Sequence, residues 1–141
     1  MLKYEAEVLT NLKSQLNSAL NLLKELAQKD LETIRTDPHL LSSAKYNLIV
    51  AIESAIDLSN HLISKNGFRV PEDFSDSFRV LAEQGILNDN FVGEKLIAMA
   101  LFRNRLVHQY WAVDTDLLYD ILQQNLDDFE IFLHQITKNL R

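Results

Sequence analysis

Only three glycines and two prolines interrupt 141 residues, so little in this chain can stop a helix once it has begun. Sustained alternation of apolar and polar residues, which is typical of strands, is absent. Near the start of the chain, leucines recur at spacings of three and four residues, at Leu9, Leu12, Leu16, Leu20, Leu23 and Leu26. This single apolar stripe predicts a long amphipathic first helix.

Two further helices are indicated by their ends. The second is predicted from about His39 to Asn66, since Asp37 can cap it and Pro38 fits a first helical position. Gly67 then supplies the left-handed residue with which many helices stop. After the linker Phe68-Arg69-Val70-Pro71, a short helix is predicted over about Phe74–Glu83, ended by Gln84-Gly85.

The rest of the chain predicts two more long helices. The fourth begins near positions 88–90 and its apolar face carries Val92, Leu96, Met99 and Ala100. The fifth is capped by Asp114 and bears Leu117, Leu118, Ile121, Leu122, Leu126, Phe129, Phe132, Leu133 and Ile136. We therefore expect an all-α fold, an up-and-down bundle of four long helices plus one short helix, as one domain over residues 1–141.

Composition excludes several classes of function. The chain has no cysteine, which rules out disulfides, thiolate metal sites and cysteine nucleophiles, and suits a reducing cytoplasm. No apolar run approaches the ~20 residues that cross a bilayer, and the opening Met1–Glu5 lacks a signal-peptide pattern. The formal net charge of −6 argues against broad, non-specific binding of nucleic acid, which needs a basic surface. A cytoplasmic protein is expected, and any RNA site must be small and locally positive.

A compact polar group stands inside the apolar fourth helix. Arg103 is followed by Asn104, by His108 five residues on, and by Tyr110. Arginine can stabilise charge that develops on a phosphate, and imidazole can transfer protons near neutral pH. These are the groups that cleavage of a phosphodiester without a metal requires. Packing residues at a helix end are the competing interpretation of so loose a pattern.

If the fourth helix continues through Tyr110, Arg103 and Tyr110 share one face, and Asn104 and His108 share another. The four groups then span an arc of about 160°, too wide for contact with one neighbouring helix. Such an arc suits a helix that lines a groove or meets its own copy across a two-fold axis. In a symmetric dimer, two arginines and two histidines would surround one cleft.

A second polar set follows the predicted second helix, where Glu53, Asp57 and His61 are spaced by four residues. A solvated stripe is one interpretation. The other is that Glu53 or Asp57 holds Arg103 or His108 in place, as supporting carboxylates often do. These residue types also bind metals, but without further ligands the spacing is poor support for a site, and we predict no required metal.

The string from Phe102 to Tyr110 resembles the R-N-x-L-V-H-x-Y signature of the HepT-like group of HEPN-domain proteins. Three upstream segments resemble the family's pattern in the same order: 51–63, the proline-led loop at Val70-Pro71, and 78–87. Arg105 occupies the variable position of the motif.

This resemblance implies a helical-bundle toxin of a two-gene toxin–antitoxin system. It would be a homodimeric, metal-independent endoribonuclease that needs no cofactor and cleaves RNA, either mRNA or tRNA. The implied partner is a minimal nucleotidyltransferase antitoxin, which can silence the nuclease by adenylylating the motif tyrosine, Tyr110.

The resemblance also implies roles for the matching residues. His108 is the candidate acid and base that lets a ribose 2′-OH attack the adjacent phosphate, leaving a 2′,3′-cyclic phosphate. Arg103 would grip that phosphate through forked hydrogen bonds. Asn104 could orient the imidazole or the substrate, and Tyr110 could donate a hydrogen bond in the same cleft. AMP on Tyr110 would add bulk and anionic charge where a phosphate must enter.

Two alternatives stay open at this point. The chain could be a non-catalytic subunit that binds nucleotide or substrate for a partner nucleotidyltransferase, with Arg103 and His108 gripping phosphate only. It could also be a purely structural bundle in which the motif packs, so that a Tyr110→Phe change would be silent.

Overall fold

The computed structural model describes residues 2–140, so that Met1 and Arg141, the ends of the predicted 1–141 domain, lie outside the described part. Eight α-helices follow one another within it: α1 (Ala6–Ala27), α2 (Leu31–Thr36), α3 (Pro38–Asn66), α4 (Phe74–Glu83), α5 (Asp89–Phe91), α6 (Ile97–His108), α7 (Thr115–Gln124) and α8 (Asp127–Thr137). A π-helical turn, Val92–Leu96, joins α5 to α6, and a 3-10 turn, Tyr110–Ala112, follows α6. No strand occurs between residues 2 and 140. The predicted all-α class is confirmed.

The predicted helix boundaries around α3 and α4 are confirmed by their caps. The Asp37 side chain accepts hydrogen bonds from the backbone N–H groups of His39 (2.9 Å) and Leu40 (3.4 Å) at the start of α3. At the other end Gly67 adopts φ 66°, the left-handed conformation that glycine reaches without strain. The Asp73 side chain caps α4 by accepting from the backbone N–H of Asp76.

The central helix of the bundle is α3, which contacts α1, α4, α6, α7 and α8. Its small and aliphatic residues, Ala44, Leu48, Ala51, Ile52, Ala55, Leu58 and Leu62, are at most 1% exposed. In the same core, the rings of Phe78 and Phe132 meet edge to face at 5.8 Å. Within residues 2–140, no helix is both long and apolar enough to cross a membrane.

The structure adds two features to the predicted bundle. The short helix α2, capped by Asp30, was not predicted, because only Ile34 of its six residues is buried and no stripe forms. The predicted fifth helix is two helices, α7 and α8. It breaks at Asn125 (φ −119°, ψ 0°), whose side chain bonds to Asp128 at 3.1 Å. Asparagine competes in this way with helical backbone bonds.

The extension of the fourth helix through Tyr110 is wrong. α6 ends at His108, because Gln109 leaves the helical region (φ −132°, ψ 42°) and Tyr110 begins the 3-10 turn. The shared face of Arg103 and Tyr110, and the arc of about 160° calculated for one continuous helix, are therefore wrong as well.

Candidate functional site

An open groove of about 780 Å³ lies between the C-terminal part of α3, the start of α4 and the end of α6. Three motif residues line it together: Arg103, Asn104 and His108. Its other walls come from α3, from the loop that precedes α4 and from α4 itself, and include Asn60, Ile63, Phe68, Val70, Pro71, Phe74 and Ser77. The groove thus combines an apolar wall with a cationic and proton-transferring end.

The guanidinium of Arg103 is held from two sides. Its Nε and Nη2 donate to Glu53 Oε2 of α3 at 2.9 and 2.5 Å, and its Nη1 donates to Asn104 Oδ1 at 3.1 Å. The Phe74 ring packs against it, with Cζ 4.6 Å from the ring centroid. The predicted support of Arg103 by Glu53 is therefore present as a contact, whereas Asn104 bonds to Arg103 rather than to the imidazole.

These contacts leave part of the guanidinium available. Arginine carries five N–H donors, and three of them are used by Glu53 and Asn104. The remaining two, one on each terminal nitrogen, have no hydrogen-bond partner among residues 2–140. The Arg103 side chain is 15% exposed, so this pair of donors is fixed in orientation at the wall of the groove.

His108 is the last residue of α6 and is exposed. Its side chain makes no hydrogen bond to another group of residues 2–140, so both ring nitrogens are open to a ligand. Exposure and freedom of this kind are compatible with proton transfer to and from a substrate. They do not indicate a packing role.

Asp57 and His61, which follow Glu53 along α3 at four-residue spacing, do not bond to Arg103 in the described part of the chain. Asp57 makes no hydrogen bond to Arg103 or His108 within the described residues. Crowding by the surrounding protein, with the negative charge of Glu53 one turn away, raises the pKa of its carboxyl, and the Arg103 cation opposes that rise. His61 Nε2 accepts a hydrogen bond from the backbone N–H of Glu5 at 3.0 Å.

Tyr110 does not line the groove of its own chain. Its hydroxyl donates to the carbonyl of Ser42 at 3.3 Å, near the start of α3. The expectation that it donates a hydrogen bond in the same cleft as Arg103 and His108 is therefore wrong for the single chain. The end of α6 at His108 is the physical reason, since the 3-10 turn carries the phenol to another face.

Sequence reasoning did not identify a polar pair on the groove wall. Ser77 Oγ donates to Asn60 Oδ1 at 2.6 Å, and both residues line the groove. The pair joins α3 to α4, and only the amide of Asn60 keeps unused donors. Nothing local in the sequence signals this contact, because the partners are 17 residues apart and separated by a loop.

The loop of the groove wall is tied to α4 by an ion network. Arg69 donates to both carboxylate oxygens of Asp76 (2.7 and 2.9 Å) and to Glu83, and the backbone N–H of Glu72 donates to Asp76 at 2.9 Å. The hydrogen bonds from Arg69 and from the Glu72 backbone lower the pKa of Asp76 to about 2. The ionised carboxylate thus holds the wall in place.

Replacing Asp76 with asparagine is expected to lower the free energy of unfolding by about 2 kcal/mol at pH 7. Because the pKa of Asp76 lies below its ordinary value of 3.8, this stabilisation is present above about pH 4 and is lost as pH falls toward 2. Urea unfolding of both proteins at pH 7, 4 and 2.5 measures it. The exposed Asp120→Asn is the matched control, and a wild-type advantage that is as large at pH 2.5 as at pH 7 would contradict the assignment.

No group of three or more His, Cys, Asp or Glu side chains within residues 2–140 is arranged to hold a metal ion. The titratable side chains that line the groove are Asp73, Arg103 and His108. The Asp73 carboxylate is occupied as the cap of α4, where it accepts hydrogen bonds from the Ser75 hydroxyl and the Asp76 backbone N–H. Glu53, which does not line the groove, is bonded to Arg103. The chemistry that these residues can supply is therefore anion binding and proton transfer.

Comparisons with known proteins find relatives that match most of the bundle. A family model described as ribonuclease HepT-like matches residues 16–136. The mRNA nuclease HepT of Shewanella oneidensis is 30% identical over 107 residues, which cover 76% of this chain and 80% of that protein. The fold is also shared with solved structures of lower identity.

One of these structures is the tri-AMPylated HEPN toxin of Shewanella oneidensis in complex with MNT antitoxin. It superposes with a TM-score of 0.86 at 24% identity, over 96% of this chain and 100% of that chain. Another is the cytosolic protein YutE of Bacillus subtilis, whose function is unknown. It superposes with a TM-score of 0.84 at 19% identity, over 99% of this chain and 93% of that chain.

Proposed function

The chain belongs to the HepT-like ribonuclease family, and on that premise we propose that it is the toxin of a toxin–antitoxin pair and cleaves RNA internally. Support comes from a Shewanella oneidensis relative named as an mRNA nuclease. It also comes from a structural neighbour, a HEPN toxin in complex with its MNT antitoxin. The groove supplies the chemical argument.

One observation carries the proposal. Arg103 is locked by Glu53 and Asn104 with two donors left over, at the wall of the same open groove that His108 lines. Because the guanidinium is already fixed, little further conformational entropy is lost when it binds a phosphate. The imidazole of His108 lines the same groove and makes no hydrogen bond within residues 2–140, so it can accept or release a proton.

The proposed reaction needs only these groups and the substrate. His108 removes the proton from a ribose 2′-OH, and the oxygen attacks the adjacent phosphorus. The bond from phosphorus to the 5′-oxygen breaks, and that oxygen takes up a proton as it leaves. The products are a 2′,3′-cyclic phosphate and a 5′-hydroxyl. Arg103 stabilises the extra negative charge of the phosphorane-like transition state.

A homodimer completes the proposed site. A single His108 must serve both as base toward the 2′-OH and as acid toward the leaving oxygen, whereas two facing grooves would supply two imidazoles and two guanidiniums. The helix α6 carries two exposed apolar side chains, Leu101 at 54% and, near its C-terminal end, Val107 at 42%, which suit contact with a second copy.

The proposed antitoxin is a minimal nucleotidyltransferase that places AMP on Tyr110. A Shewanella oneidensis HEPN toxin is known in tri-AMPylated form. Here Tyr110 stands outside the groove but only two residues beyond His108. AMP on its hydroxyl would add bulk and negative charge beside the turn that follows α6, where it repels the phosphates of an RNA that extends beyond the groove toward this turn.

The test is incubation of the purified protein with total RNA in the presence of excess EDTA. We expect cleavage to persist and to leave 2′,3′-cyclic phosphate ends, detected by end-specific ligation. The alternative, a non-catalytic binding subunit, is favoured by the net charge of −6, which disfavours RNA. It predicts nucleotide binding with intact RNA. Cleavage that needs added metal would reject the proposed mechanism but not the proposal that the chain is a nuclease.

A further inference from the structure

Lys45 is the one buried lysine among residues 2–140, with 4% of its surface exposed. No carboxylate within residues 2–140 lies within salt-bridge distance of its ammonium. Burial therefore lowers the pKa of Lys45, because it penalises the charged form. A buried cation without an anionic partner costs stability, so its other contacts must account for its position.

All of these contacts converge on the turn that follows α6. The ammonium donates a hydrogen bond to the backbone carbonyl of Tyr110 at 2.7 Å. It also stands 4.8 Å from the centroid of the Tyr110 ring and 5.8 Å from that of Trp111, within the range of cation–π attraction. The two rings meet edge to face at 5.0 Å, so Lys45 clamps both side chains of the turn and its backbone.

The same stretch of α3 also holds the phenol itself. Ser42 lies three residues before Lys45, on the same helix face, and its carbonyl accepts the Tyr110 hydroxyl at 3.3 Å. This hydrogen bond is long, so the hydroxyl can be released without disturbing the short one from Lys45 to the backbone. The tyrosine is thus fixed at its main chain and loosely held at its reactive oxygen.

We propose that Lys45 is a positioning residue for modification of Tyr110: it fixes the 3-10 turn so that the phenol is presented to the nucleotidyltransferase. This inference rests on the proposed function. In the modification step, the phenolic oxygen forms a bond to the α-phosphorus of ATP as the bond to the β-phosphate bridge breaks. Pyrophosphate leaves, and the phenolic proton passes to solvent.

The experiment uses the full chain, the partner nucleotidyltransferase and ATP labelled in the α-phosphate. Lys45→Met keeps the length of the side chain and loses its N–H donors and charge. We expect the kcat of AMP transfer to fall about tenfold, while the KM for the acceptor chain changes less than about twofold. RNA cleavage by the unmodified variant should match wild type. Lys29→Met, at an exposed lysine, is the matched control.

A spectroscopic measurement separates positioning from general destabilisation. Trp111 is the only tryptophan of the chain and is 87% exposed, so its fluorescence reports on the turn alone. Release of the turn in Lys45→Met should lower its anisotropy while far-UV circular dichroism stays unchanged. Lys45→Gln, which keeps a donor but not the charge, replaces Lys45→Met should that variant fail to fold.

The outcomes distinguish the two proposals. If wild type takes up AMP at Tyr110, as shown by its loss in Tyr110→Phe, while Lys45→Met has the wild-type kcat and anisotropy, the positioning role is rejected and the proposed function stands. If wild type takes up no AMP, both silencing by modification and this inference are rejected. A lower kcat together with a looser turn supports the inference.

Discussion

Changing His108 to alanine is expected to reduce RNA cleavage by at least about a hundredfold, and by up to about 10⁴-fold, because the imidazole is the proposed proton carrier. The other proton acceptor that lines the groove, the Asp73 carboxylate, is occupied as the cap of α4. The fold should be unaffected, because the side chain is exposed and makes no hydrogen bond within residues 2–140. Initial rates of cleavage of a labelled RNA, measured with chelator present, give the size of the effect.

The matched control for this change is His134→Ala. His134 lies on α8, is also exposed and does not line the groove, so its loss should leave the cleavage rate unchanged. Full activity in His108→Ala would reject the assignment of the base. Equal loss in both variants would mean that the assay reports on something other than the groove.

Changing Arg103 to alanine is expected to reduce cleavage by about 10²–10³-fold, which corresponds to about 3–4 kcal/mol of transition-state stabilisation. The loss should appear in kcat more than in KM, because charge on the phosphate grows as the reaction proceeds. Arg103→Lys should recover little, since lysine cannot reproduce the fork held by Glu53 and Asn104.

Arg105→Ala is the control, since its guanidinium is exposed and packs near the Phe102 ring at 6.0 Å. Loss of a cation there tests whether bulk positive charge alone explains the effect. If Arg105→Ala were as damaging as Arg103→Ala, the phosphate would be bound by general electrostatics and not by an oriented guanidinium.

Mixing the two inactive proteins tests the composite site. In a mixed dimer, a cleft shared by both chains keeps one intact Arg103 and one intact His108. Partial recovery of cleavage after mixing is therefore expected. Its complete absence, with exchange of subunits demonstrated, would place the whole site within one chain.

Local sequence pattern predicts which residues line the groove only where α6 is a regular helix. Arg103, Asn104 and His108 lie within α6, so their shared position follows from helical spacing. The contact from Glu53 to Arg103 was one of several options open to a carboxylate on α3. The structure selects it because α3 and α6 pack side by side.

The rest depends on contacts that sequence spacing does not encode. Gln109 and Tyr110 carry no strong helix-breaking signal, so nothing in the pattern predicts that α6 stops at His108, two residues before Tyr110. The stop is accompanied by a long-range hydrogen bond from Lys45, 65 residues away from Tyr110. Because of this separation, the sequence does not identify Lys45 as a neighbour of the motif.

The end of α6 at His108 has a consequence for how such a protein can evolve. The side chains proposed to cut RNA stand on the helix, and the hydroxyl proposed to receive AMP stands on the turn beyond it. On the proposed function, mutations in the turn can therefore abolish modification of Tyr110 while RNA cleavage is retained. Natural selection then acts separately on RNA cleavage and on the ability of the turn to be modified.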